Sequence, residues 1–283
     1  MASFAALHNA LSASSLTTWT QSSLEISATL FEKYSPGLLS SPPPFSSVYN
    51  STAVPLSSVP TEYDLRSAVP SCASPNTIFD QGSCGGCWAL STAGTLSDRY
   101  CVSSSPDTPI LSPQDLLDCV TGESKGCSGG FTEDGFDYVA DEGLRDVSCI
   151  PFTATDSFCQ TSCTTSRADD TRYFTSGWGQ YVPSDEDSIK AEIIASGSIS
   201  AVFEVFADFF TYDSGVYKHV DGDYAGLHAV VLVGWGTEDG GDFWLVRNSW
   251  GDDFGEGGYF KIARGLDVNG CNFEGGLTAA TVV

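Results

Sequence analysis

Asp80-Gln81-Gly82-Ser83-Cys84-Gly85-Gly86-Cys87-Trp88-Ala89-Leu90-Ser91 is the stretch on which the reading of this chain turns. Its glycines let the backbone turn tightly and come close to a ligand. After Cys87, the positions Ala89, Leu90, Ala93, Leu96 and Tyr100 recur at helical spacing. Cys87 therefore stands where a tight loop becomes the first turn of a helix. Exposed N–H groups and the helix dipole at that place lower a thiol's pKa toward the reactive thiolate. An arbitrary cysteine is more often a buried residue or half of a disulfide, but these surroundings argue for a nucleophile.

The 283 residues suffice for one large domain or two small ones around a real core. A hydrophobic content of 41% marks a globular protein, and the longest clean apolar run, Ala229 to Val233, is far too short to cross a bilayer. Twelve basic against 36 acidic residues give a formal charge of -24, which repels nucleic acid and anionic lipid. Neither nucleic acid nor membrane insertion is expected. The acidic excess reads as a solvated surface or as adaptation to an acidic compartment. Ten cysteines point to export or to a lysosomal or endolysosomal vacuole. A signal peptide is not evident, since Met1 to Ala13 lacks a basic start and is broken by His8 and Asn9.

Residues 1–58 differ in texture from the rest: Ser/Thr-rich, free of cysteine, and carrying the extended spacer Ser40-Ser41-Pro42-Pro43-Pro44. Within them Thr20 to Tyr34 has the pattern of a short amphipathic helix, and Asn50-Ser51-Thr52 is a glycosylation sequon. This part reads as a detachable leader, and residues 59–283 as the packed domain. There, Ser112-Pro113-Gln114-Asp115 starts a second helix, Phe131 to Glu142 a third that stops at Gly143, and Ser184-Asp185-Glu186-Asp187 a fourth closed by Gly197. A cysteine-bearing loop region runs from Cys149 to Cys163. The pattern then turns to strands at Ile199 to Phe206, Gly215 to Val220, His228 to Trp235, Phe243 to Asn248 and Gly258 to Ala263. Helices first and strands later predict an α+β fold of two subdomains, about 72–165 and 166–270, with a cleft between them.

A nucleophilic cysteine needs a base, and the base needs a third group to orient it. Of the three histidines, His8 lies in the leader and His219 reads as a surface or packing residue. His228 opens the apolar strand Ala229-Val230-Val231-Leu232-Val233, which would fix it on a rigid element. Asn248 ends the next strand, where its carbonyl would accept a proton from the imidazole, with Trp250 shielding that bond from water.

Gln81-Gly82-Ser83-Cys84-Gly85-Gly86-Cys87-Trp88 resembles the active-site segment of papain-family cysteine peptidases. Cys127-Ser128-Gly129-Gly130, Gly234-Trp235-Gly236 and Asn248-Ser249-Trp250-Gly251 extend the likeness over residues 59–283. His228 follows Cys87 within the usual downstream interval of roughly 130–150 residues and Asn248 falls slightly beyond it. Ser112 to Cys119, Tyr212 to His219 and Arg264-Gly265-Leu266-Asp267 are similar to the cathepsin B branch. The resemblance implies a papain-like fold with a helical left half and a β-barrel-like right half. It implies a monomeric zymogen acting on proteins and peptides, inhibited by its own propeptide, with no metal and no cofactor. Cys87 would be the attacking thiolate, His228 its acid–base partner, Asn248 the orienting group and Gln81 part of the oxyanion hole. Gly129 and Gly130, with Trp250, would meet the extended substrate. Glu274 falls near an acidic residue at the base of the family's S2 pocket, which would admit Arg or Lys at P2. The implied disulfides are Cys72–Cys101, Cys84–Cys127, Cys119–Cys159 and Cys149–Cys163, which leave Cys87 and Cys271 unpaired.

The chain departs from the cathepsin B branch between Cys149 and Cys159, too short a stretch for the long histidine-bearing loop that occludes the cleft there. An open cleft and endopeptidase action are the expectation. Leu227 and Phe254 replace, respectively, a smaller or polar residue and a Trp that are usual at these positions. Three other readings compete: an inactive homologue that only binds, a ligase or transferase using the same thiol, and a redox or zinc site at Cys84-Gly85-Gly86-Cys87.

Overall fold

The computed structural model describes residues 19–21, 58–104, 108–165, 170–181, 185–265 and 269–283. The Ser40–Pro44 spacer, the Asn50 sequon, the expected helix beyond Gln21, Ser184 and the pair Leu266-Asp267 lie outside them. In chain order the elements are β1 (Trp19–Gln21), β2 (Tyr63–Asp64), α1 (Leu65–Ala68), α2 (Cys87–Ser103), α3 (Pro113–Cys119) and α4 (Thr132–Asp141). They continue with β3 (Thr175–Gln180), α5 (Glu186–Ser196), β4 (Ile199–Phe206), β5 (Tyr212–Tyr217), β6 (Tyr224–Glu238), β7 (Gly241–Arg247), β8 (Tyr259–Ala263) and β9 (Leu277–Val282).

Local chemistry sets the helix ends. The Ser112 side chain accepts from Asp115 N and Pro113 occupies the first turn of α3. The Asp185 carboxylate caps α5, which stops at Gly197 with φ +102°. Gly86 caps α2 without a side chain to occupy its first-turn N–H groups. That helix is buried along most of its length, with Trp88, Ala89, Ala93 and Leu96 in a core shared with Phe136, Val139 and Leu144.

The described residues form a nine-stranded sheet in the order β1-β5-β8-β7-β6-β4-β9-β3, with β2 paired to β6. Pairing is antiparallel except between β5 and β8. The sheet encloses a second core around Phe203, Phe209, Leu232, Trp244 and Phe260. Residues 199–203 of β4 and 228–232 of β6 are buried on both faces where they pair, which explains their apolar runs. The result is an α+β fold with a helical half and a sheet half, as the sequence predicted.

Two strands reach from the sheet into the helical half. β3 packs Trp178 into the helical core, and β9 returns between β4 and β3, placing Ala280 in that core. Thr20 and Gln21, expected to start a helix, belong to β1, which pairs with β5 at Tyr212, Ser214 and Gly215. The Thr20 hydroxyl bonds to Asp213 Oδ2 at 3.1 Å and to Ser214 Oγ at 2.6 Å. The strand register is imposed by the exposed edge of β5, not by the local pattern of residues 20–34. At the start of the packed domain, Val59 lies against the sheet core and Trp235 Nε1 donates to Pro60 O at 3.1 Å.

Candidate active site

The N-terminus of α2 meets β4 and β6 where Cys87 packs with Val202, Leu227 and Ala229. Ser91, one turn along α2, donates to Val230 O at 2.6 Å, which ties the helix to the strand that carries His228. Cys87 and His228 are both fully buried in this chain, and Cys87 is in no disulfide.

His228 Nε2 lies 2.8 Å from Asn248 Oδ1, and that oxygen also accepts Ser249 N–H at 2.8 Å. A backbone N–H can only donate, so the Ser249 contact identifies the acceptor atom of the Asn248 amide. Nε2 must then be the protonated ring nitrogen, which leaves Nδ1 as the basic one. Among the described residues, His228 Nδ1 is buried without a hydrogen-bond partner. Trp250 stacks on the imidazole at 4.7 Å between ring centroids, and Phe203 meets it edge-on at 6.0 Å. Burial pulls the imidazole pKa down to about 4, against the opposing effect of the Asn248 bond. The ring is neutral at pH 7 in this state.

Gln81 is fully buried, donates its N–H to Ser249 O at 2.8 Å and gives Nε2–H to Cys84 O at 3.0 Å. Ser249 Oγ donates to Gln81 Oε1, which fixes the amide with its nitrogen toward the Cys84–Cys87 loop. Ser249 thus grips both Gln81 and Asn248. Sequence reading quoted it within a motif and gave it no role, because a serine beside an asparagine carries no signal of a bond to a residue so distant in sequence.

Cys84 bonds to Cys127 and not to Cys87, and Gly85 N donates to Cys127 O at 2.8 Å. These links hold the Gly129–Gly130 segment beside the Cys84–Cys87 loop. Gly129 has φ +112°, and a Cβ on Gly130 would come within 2.6 Å of the Trp88 ring. The other disulfides are Cys72–Cys101, Cys119–Cys159 and Cys149–Cys163. Cys149 and Cys163 also lie near Asp170, but sulfurs bonded to each other are not metal ligands.

Two further residues have structural roles away from Cys87. His219 stacks on Phe206 and lies 3.2 Å from the Asp208 carboxylate. Cys271 is fully buried, and burial pushes its thiol pKa far up. Glu274 is held by hydrogen bonds within the fold. It is 2% exposed and accepts from Trp244 Nε1, Gly265 N and Asn269 Nδ2 at 2.9–3.0 Å. Burial raises its pKa, and its oxygens are already engaged in holding the C-terminal turn.

Residues 59–281 match the family described as papain family cysteine protease. A gut-specific cysteine proteinase of Caenorhabditis elegans is 38% identical over 249 residues, covering 80% of this chain and 74% of that protein. Cathepsin B-like cysteine proteinase 1 of Ostertagia ostertagi is 36% identical, over 79% of this chain and 73% of its own length. Among solved structures, procathepsin B S9 from Trypanosoma congolense matches with a TM-score of 0.86 at 30% identity, covering 100% of this chain and 98% of that one.

Proposed function

The chain belongs to the papain family of cysteine proteases, and from that premise we propose that it is a zymogen whose processed form is an endopeptidase acting through Cys87. His228 Nδ1 takes the thiol proton, and the thiolate attacks the peptide carbonyl carbon. The Gln81 amide and the Cys87 N–H donate to the oxyanion that forms only in the transition state. The imidazolium protonates the departing amine, and water, deprotonated by the same ring, then releases the acid from the thioester. Asn248 holds the ring throughout, and Trp250 keeps water off the His228–Asn248 bond. Gly129 and Gly130 offer backbone groups to the extended substrate.

The observation that carries this reading is the double acceptance at Asn248 Oδ1, which makes Nδ1 the basic atom of a ring on the strand packed against Cys87. Residues 1–58 would be the inhibitory leader, removed near Val59. The pairs Cys119–Cys159 and Cys149–Cys163 staple the short segment between them. That supports an open cleft without an occluding loop, and so internal cleavage in preference to removal of C-terminal dipeptides. Four disulfides and an acidic surface fit a lysosomal, endolysosomal or secreted protein. The processed protein should react with an epoxide peptide probe at Cys87, and Cys87→Ala and His228→Ala should both abolish labelling. A folded, leader-free protein that takes no label would leave the chain a binding protein.

A further inference from the structure

We propose that the buried ion pair between Asp98 and Arg247 is a positioning device that sets the Asn248 strand against the nucleophile helix. The inference rests on the peptidase reading above, since it assigns a task within that site. Arg247 is the last residue of β7, immediately before Asn248, and its side chain crosses into α2. Its Nη2 donates to Asp98 Oδ2 at 3.0 Å, its Nη1 to Asp98 Oδ1 at 3.3 Å, and Nη1 also donates to Ser74 O. Asp98 is fully buried and Arg247 is 5% exposed. Ser198 Oγ adds a third donor to the Asp98 carboxylate, at Oδ2 and 2.6 Å.

Asp98 lies on the same helix that begins at Cys87, so the pair joins the helix of the nucleophile to the strand of the orienting amide. Close apolar packing does not do this work alone. A cavity of about 20 Å³, the size of a single water site, lies between α2, β6 and β7 and is bordered by Ser74, Gly94, Arg247 and Asn248. Gly94 makes the arrangement feasible, because a Cβ there would come within 2.9 Å of Arg247 Nη2. A forked guanidinium held by both carboxylate oxygens fixes direction as well as distance, which an apolar contact would not. Removing either charge leaves the other buried, so simple deletions threaten the fold itself.

Gly94→Ala avoids that difficulty. It keeps both charges, favours the helix, and displaces the guanidinium through its new methyl group. The processed Gly94→Ala and Asp98→Asn proteins are compared with the parent for kcat, KM, thermal midpoint and the His228 Nε2–H proton resonance. The expected result for Gly94→Ala is a kcat lower by about tenfold with KM and midpoint held, the loss disappearing in an Asn248→Ala background. The Nε2–H proton should also exchange faster with water. An unchanged kcat and an unchanged resonance overturn the proposal, as does a loss of equal size in the Asn248→Ala background. If Asp98→Asn does not fold, Gly94→Ala alone decides. A parent that takes no epoxide label, but whose Nε2–H exchange still responds to Gly94→Ala, would refute the peptidase reading and leave the positioning role standing.

Discussion

At His228 a single side chain links burial to pH. Its imidazole is fully enclosed and its pKa falls to about 4, against 6.5 for an ordinary histidine. Between those values the unfolded chain binds a proton there and the folded chain does not. Stability from this group is therefore complete above pH 6.5 and is lost as pH falls toward 4, by about 3 kcal/mol in all. Denaturant unfolding of the precursor in a Cys87→Ala background should show that loss. Adding His228→Gln should flatten it, and parallel pH profiles for the two proteins would refute the assignment. Acid favours any state in which the ring regains water.

Among the elements, α2 and the loop before it carry most of what the site needs. The Gly130 backbone lies against the Trp88 ring, so Gly130→Ala must push the Gly129–Gly130 segment outward. Overpacking of this kind costs about 1–3 kcal/mol, and the displaced rim should raise KM for peptide substrates by more than it lowers kcat. Equal KM values for the parent and the variant, measured with the same peptide series, would show that this rim does not touch substrate. The helix itself was legible because its apolar spacing, its glycine entry and Cys87 lie within one short stretch. β6 and β7 were legible because their runs are long and apolar. β3 and β9 were not, since Thr175-Ser176-Gly177-Trp178-Gly179-Gln180 is broken by glycine and Leu277–Val282 is rich in small residues. Their strand character comes from pairing with each other across the chain. The same distance hid the Asp98–Arg247 pair and the grip of Ser249 on Gln81, which no local pattern announces. The Trp244, Gly265 and Asn269 donors that engage the Glu274 oxygens are hidden in the same way.

For the molecule as a whole, a charge of -24 on 283 residues makes self-repulsion a fold-wide term that no single contact offsets. Four carboxylates add to it in the same direction. Burial raises the pKa of Asp115, Asp118, Glu133 and Glu274, in Asp115 even against the Arg145 guanidinium 2.8 Å away. A raised carboxyl binds its proton more readily when folded, so its contribution is full at low pH and is lost as pH rises through the folded value. His228 acts in the opposite sense below pH 6.5. The repulsive part can be isolated with salt. Added sodium chloride, which shortens the screening length to about 3 Å at 1 M, should raise the thermal midpoint of the processed protein at pH 7.5. The gain should shrink as pH approaches the sequence pI of about 4.1, where little net charge remains to screen. A salt effect of the same size at both ends would assign the stabilisation to apolar burial, which salt strengthens without regard to net charge. The expected pH-dependent gain would identify the acidic surface as a cost that this fold carries at neutral pH and sheds at acidic pH.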